Sequence, residues 1–127
     1  MSGDVTGRAQ MVRSMCAAVD RGDAEDFAKG FRDHATYTFG NGETISGRTA
    51  IAAATAGAVA ALPWVRHTIR EITDTGDRLF CHFTIETAAP DGKHLALPCM
   101  TVISLFGTQV ADYTVYMDFS PAMAGDG

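Results

Sequence analysis

Bases are few in this chain and none are clustered: ten Lys and Arg stand scattered against fifteen Asp and Glu, for a formal net charge of −5. Without a Lys/Arg patch nothing can release counterions from a polyanion, so no nucleic-acid partner is expected. The opening Met1-Ser2-Gly3-Asp4 lacks a basic segment followed by an apolar core, so no secretory leader is expected. The longest weakly polar run, Ala50 to Leu62, is too short to cross a bilayer and is dominated by alanine, so no membrane partner is expected. Cysteine is scarce too. Cys16, Cys81 and Cys99 are an odd set in apolar contexts with no Cys-x-x-Cys spacing, which predicts reduced core thiols and a cytoplasmic location. The four histidines show no metal spacing with acids or cysteines, and Gly40-Asn41-Gly42 is a turn rather than a phosphate loop. No metal and no cofactor is expected.

What remains is an ordinary globular composition, 46% hydrophobic and 20% charged over 127 residues. That is one domain, large enough to hold together without cross-links. Residues 1–123 form it, and 124–127 are expected to be a disordered tail. Helix signals fill the first half and strand signals the second, so the fold class is α+β, with helices packed on one sheet face.

Helix one is predicted over Asp4 to Arg21, where Val5, Ala9, Val12, Cys16 and Val19 recur at steps of three and four, widened by Met11 and Met15. Gly22 stops it. Asp23 should cap a short second helix with Phe27 and Phe31 on its buried side. Ala35 to Phe39 reads as a short strand, and Ser46 as the cap of a third helix ending at Leu62 before Pro63. Strands follow over Trp64–Ile72, Arg78–Thr87, His94–Phe106 and Val110–Phe119.

Side chains alternate across a strand, so each strand splits into two faces. In three of the four strands the odd-numbered set is the more apolar: Leu79, Cys81, Phe83 and Ile85; Leu97, Cys99, Thr101, Ile103 and Leu105; Tyr113, Val115, Met117 and Phe119. Val65, His67 and Ile69 share that face. A hairpin around Asp91 puts Cys81 opposite Cys99 or Thr101, in agreement with the alternation. A two-residue loop at Gly107-Thr108 would invert the register, so a longer loop or a bulge is expected there. The odd face should meet the helices. The even face keeps Met100, Val102, Phe106 and Tyr116 among polar groups and is expected to form a homodimer.

These features resemble a family. Three helices, a short strand carrying Tyr37, a Ser-Gly-Arg-x-Ala-Ile helix start (Ser46 to Ile51) and a long antiparallel sheet resemble the nuclear transport factor 2-like superfamily. Gly76-Asp77, Leu97-Pro98-Cys99-Met100 and Val115-Tyr116-Met117-Asp118 resemble its SnoaL-like (polyketide cyclase) and limonene-epoxide-hydrolase-like branches. The resemblance implies three N-terminal helices packed on a strongly curved mixed or antiparallel sheet, forming a cone with an internal pocket. It also implies a dimer through the other sheet face. The chemistry of the epoxide hydrolases does not carry over. Their aspartate–arginine–aspartate trio falls on Val115, Phe83 and Ile85, and their tyrosine and asparagine on Tyr37 and Phe39, so only the tyrosine is kept. The cyclases' aspartate also falls near Val115, and the steroid isomerases' base on Phe39.

Among the remaining groups His67 is the sharpest catalytic candidate. It is a histidine between Val65 and Ile69 that could stay neutral and move a proton; the alternative is a core or rim histidine bonded to a backbone carbonyl. Tyr37 and Tyr113 could donate to a carbonyl or enolate oxygen. Phe39, Trp64, Cys81, Phe83, Ile85, Leu97, Cys99, Thr101, Val115 and Met117 are expected to line the ligand site. Asp118 should face outward, unless a bulge near Gly107 flips the strand and turns Asp112, Thr114 and Asp118 inward. The expected function is binding of a hydrophobic, carbonyl-bearing polyketide-like or steroid-like small molecule and its isomerisation or cyclisation through an enol or enolate. One alternative is a non-catalytic binding protein with the same pocket. The other is an interaction module that uses the even face.

Overall fold

A computed structural model describes residues 3–123; the tail expected at 124–127 lies outside the described residues. In order the elements are α1 (Gly3–Asp20), α2 (Ala24–Ala28), β1 (Phe31–Phe39), β2 (Ile45–Ser46), α3 (Arg48–Ala60), β3 (Val65–Asp74), β4 (Arg78–Ala88), β5 (His94–Phe106), β6 (Gln109–Tyr116) and α4 (Ser120–Met123). No described helix is long and apolar enough to cross a membrane.

From Met11 onward the stripe on α1 is buried: Val12, Met15, Cys16 and Ala18 are buried, with Met11 and Val19 packed beside them; the Val5 side chain lies outside the described residues. Gly22, at φ +80°, turns the chain out of the helix. Asp23 then caps α2, its Oδ1 accepting the Asp26 N–H at 3.0 Å. Phe31 is a correction. It opens β1 rather than closing α2, because the sheet already claims this stretch: Val110 N–H donates to Gly30 O at 2.8 Å, and Phe31 pairs with Val110. The Phe27 and Phe31 rings still meet, with centroids 5.2 Å apart. Ser46 is a second correction. It pairs with Thr36 in β2 and leaves the N-cap of α3 to Gly47 at φ +96°, a conformation that a side chain resists. The start of α3 is fixed instead by Arg48, whose Nε and Nη2 donate to Phe31 O at 3.0 and 2.7 Å.

The six strands form one mixed sheet in the order β2-β1-β6-β5-β4-β3, open at β2 and β3 rather than closed into a barrel. Among them β1 and β6 alone run parallel. The β4–β5 hairpin sets Cys81 against Thr101 and Phe83 against Cys99. After the two-residue Gly107-Thr108 loop, Phe106 pairs with Gln109. Ala111 is then left out as a bulge, and Ser104 pairs with Asp112 and Ile103 with Tyr113. The bulge cancels the inverted register of the short loop, so Tyr113 and Val115 face inward. A second bulge, at Arg70 in β3, reverses parity halfway along that strand. It turns Ile72 and Asp74 inward after Val65, His67 and Ile69, and Asp74 accepts from Arg8 Nη1 of α1 at 2.9 Å. The core lies between the inner sheet face and α1–α3, with Phe31, Phe83, Ile51, Leu79 and Ile103 fully buried. Each such side chain contributes roughly 1.5–3 kcal/mol on burial.

Candidate functional site

The inner face of the sheet does not close fully against the helices. A cavity of about 400 Å³ remains, walled by the sheet, the end of α1 (Val19), Phe27 of α2, one side of α3, and α4. The sheet supplies Tyr37 and Phe39 from β1, Val65 and His67 from β3, Phe83 and Ile85 from β4, Cys99 and Thr101 from β5, and Tyr113 and Val115 from β6. The helices and the turn after α3 add Ala54, Thr55, Ala58, Val59, Ala61 and Leu62, with Ala122 and Met123 from α4. Ala61 and Met123 are exposed, which marks the mouth. A broader depression, about 590 Å³ at Asp33, Gly47 and Arg48, is an open surface feature, and its charges already pair, Arg48 Nη1 to Asp33 at 3.1 Å.

The polar groups in this apolar wall are few and ordered. His67 sits edge-on to Phe83 with ring centroids 5.7 Å apart, and its side chain is 11% exposed. Its Nδ1 lies 2.6 Å from Oδ1 of Asp20, the last residue of α1. The same carboxylate accepts the His67 backbone N–H at 3.1 and 2.9 Å. Tyr37 and Tyr113 are direct partners across the parallel β1–β6 pair, and their rings stack at 5.4 Å and 15°. The ring of Phe27 stands at right angles to both. Burial and the nearby Cys99 thiol push the Tyr37 phenol up to about 12. Burial, with Cys16 and Tyr37 adding, pushes Tyr113 well above the usual phenol range. Both hydroxyls therefore stay protonated donors at neutral pH. Neither is walled off: among the described residues the only sealed side-chain polar atom without a partner is Thr55 Oγ1. Cys99 Sγ lies 3.5 Å from Thr101 Oγ1, and burial raises all three thiols, Cys81 to about 12.

Of the residues singled out in the sequence, Tyr37, Phe39, His67, Phe83, Ile85, Cys99, Thr101, Tyr113 and Val115 come together around the cavity. Four others do not reach it. Trp64 lies outside, 40% exposed and stacked on His94 at 5.5 Å. Cys81 is on the inner face but fully buried, near Cys16 of α1. Leu97 is half-buried nearer the β4–β5 turn. Met117 lies past the end of β6, and Phe119, two residues on, takes its place and meets the Phe39 ring at 5.7 Å. Asp118 is exposed and outside the cavity; it accepts the Ser120 N–H at 3.0 Å, and the Ser120 side chain together with that N–H holds its carboxyl below the usual range. Asp112 is tied to Thr36 (2.5 Å) and Thr114 (2.8 Å). Among the described residues no carboxylate lines the cavity, and no group of three His, Cys, Asp or Glu is placed to hold a metal ion.

Sequence reasoning missed Asp20, the α3 wall and α4. For Asp20 one signal existed: an acid at the C-terminal end of a helix opposes the helix dipole and needs a reason to be there.

A family model described as "SnoaL-like domain" matches residues 12–113. No curated protein matches in sequence. Among solved structures, a hypothetical protein with a ketosteroid isomerase-like fold from Catenulispora acidiphila, in complex with trimethylamine, superposes with a TM-score of 0.81 at 23% identity, covering 92% of each chain. A candidate SnoaL-like polyketide cyclase from Jannaschia gives 0.80 at 15% identity, over 94% of this chain and 93% of that one. The epoxide hydrolase/cyclase-like enzyme SalBIII, whose structure is described with pyran ring formation in the polyether salinomycin, gives 0.77 at 16% identity over 95% and 97%. At these identities the likeness establishes the fold.

Proposed function

The chain belongs to the SnoaL-like domain family, and from that premise we propose that its cavity takes up a hydrophobic, carbonyl-bearing small molecule and isomerises or cyclises it through an enol or enolate. One observation carries the reading: a carboxylate-held imidazole and two unsealed, protonated phenols face the same apolar cavity. His67 Nε2 removes a proton from the carbon next to the carbonyl, and the electron pair moves onto the carbonyl oxygen. Tyr37 and Tyr113 donate to that oxygen as its charge develops. The His67 imidazolium then returns the proton, either to the far carbon of a conjugated enolate, which gives an isomer, or to the alkoxide formed when the enolate carbon attacks a second carbonyl and closes a ring. General base catalysis of this kind is worth roughly 10²–10⁴ in rate, and each donor to the oxygen roughly 10²–10³. The apolar wall strengthens those hydrogen bonds by lowering the local dielectric.

The lack of a carboxylate in the wall supports a second reading, a non-catalytic binding protein with the same guest. His67→Ala separates the two. An enzyme loses turnover of its ketone but keeps thermal stabilisation by it, while a carrier shows no turnover in either form. Failure of any hydrophobic ketone to raise the melting temperature of the unaltered protein sinks both.

Exposed Phe106, Tyr116 and Met100 on the outer sheet face support a homodimer through that face. The three reduced, buried thiols support a reducing compartment, the cytoplasm.

A further inference from the structure

We propose that Asp20 is a positioning residue that keeps the His67 proton on Nδ1, so that Nε2 offers a bare lone pair to the cavity. The inference rests on the reading of His67 as the proton-transfer group and adds how it is armed. β3 is an edge strand, and the His67 N–H finds its acceptor in Asp20. The carboxylate thus receives the main-chain N–H and the ring Nδ1 of a single residue. An ionised carboxylate only accepts, so at 2.6 Å the ring nitrogen facing it carries the proton. The ring nitrogen left over is then the acceptor. Two attachments to one side chain also fix the ring's orientation, which Phe83 supports from the side.

The arrangement makes Asp20→Asn a sharp probe. The introduced amide has one acceptor and one donor end where the carboxylate has two acceptors. The main-chain N–H lies 2.9 Å from Oδ2 and 3.1 Å from Oδ1, so it favours the amide oxygen at the nearer Oδ2 position, with the NH₂ at the Oδ1 position beside Nδ1. That orientation forces the ring proton onto Nε2. The base is then lost while the shape of the cavity is kept.

The test uses nitrogen-15 NMR of the imidazole, in the unaltered protein and in Asp20→Asn, above the pH at which the ring deprotonates. Exchange of the α-protons of 1-tetralone in D₂O is followed in parallel. The unaltered protein is expected to carry the proton on Nδ1, and the variant on Nε2. Loss of a correctly held base lowers kcat for exchange by roughly 10²–10⁴-fold, with KM and the thermal stabilisation by tetralone within about twofold. A proton on Nε2 in the unaltered protein overturns the proposal, and that spectrum decides the matter even where Asp20→Asn does not fold. An unmoved proton in a folded variant overturns it as well, as does a moved proton with unchanged kcat. A proton that moves as expected, in a protein that never exchanges the ketone, upholds the role of Asp20 and removes the enolate reading instead.

Discussion

Thr55 shows how much one side chain can cost at this site. Its hydroxyl is sealed without a partner, although the residue lines the cavity. An unmade buried hydrogen bond of this kind costs roughly 1–3 kcal/mol, whereas an apolar group of the same shape escapes the penalty. Thr55→Val should therefore stabilise the protein by about 1 kcal/mol, read as a higher urea midpoint with an unchanged slope. A lower midpoint would mean that the hydroxyl has found a partner. Tyr113→Phe should lower turnover of a bound ketone by roughly 10²-fold while leaving the core intact, since it removes one donor and no packing surface; unchanged turnover would take Tyr113 out of the reaction. His67 and Tyr113 were legible because strand alternation sets them on a face with apolar neighbours, and Tyr37 through the family resemblance. Asp20 was not. Its partner is 47 residues away, and no local pattern links the end of a helix to a strand it has yet to meet.

At the scale of elements, turns and alternation could be read from the residues, and bulges only where arithmetic demanded one. The Gly107-Thr108 loop conflicted with the apolar face of β6, so an irregularity had to follow, and Ala111 is it. Deleting Ala111 should set the turn and the apolar face of β6 against each other, so that Asp112 and Thr114 face the core or the hairpin opens. The expected result is loss of the cooperative unfolding transition in circular dichroism; a stable fold with intact ketone binding would contradict this account of the register. Nothing in the residues announced the bulge at Arg70, because β3 reads as a plausible strand in either parity. Ser46 misled for a related reason. A good capping residue loses to sheet pairing when the strand beside it needs a partner, and the next residue, a glycine at positive φ, then takes the cap. Gly47→Ala should cost about 1–3 kcal/mol in urea unfolding, since alanine resists φ +96°.

For the molecule as a whole, the buried thiols and phenols set its tolerance of alkali. Burial raises Tyr37 from 10.0 to about 12 and Cys81 from 9.0 to about 12, with Cys16, Cys99 and Tyr113 moving the same way. A folded-state value above the unfolded one means the contribution is complete below the unfolded value and disappears as pH rises through the folded one. For Tyr37 that contribution is about 3 kcal/mol. Stability should thus hold to about pH 9 and fall steadily toward about pH 12, and urea midpoints at about pH 7, 9 and 10.5 will show it. A flat profile would mean these groups reach water. The α+β class, the sheet and its inner face were legible at this scale, because composition and periodicity sum over many residues. The room inside was expected through the family resemblance; its volume was not legible, since the space left between a sheet and its helices depends on how far the elements stand apart.

That room is bounded on one side by Ala54, Ala58 and Ala61, in α3 and at its end, and these methyl groups make no hydrogen bond to Asp20, His67 or the two phenols. Under the proposed function, choice of guest and reactivity toward it are therefore held by different parts of the chain. Methyl groups added at these three positions trim the space offered to a guest and leave His67 and the two phenols where they are. Divergence among descendants of such a scaffold can proceed by enlarging or shrinking alanines long before the reaction itself has to be reinvented.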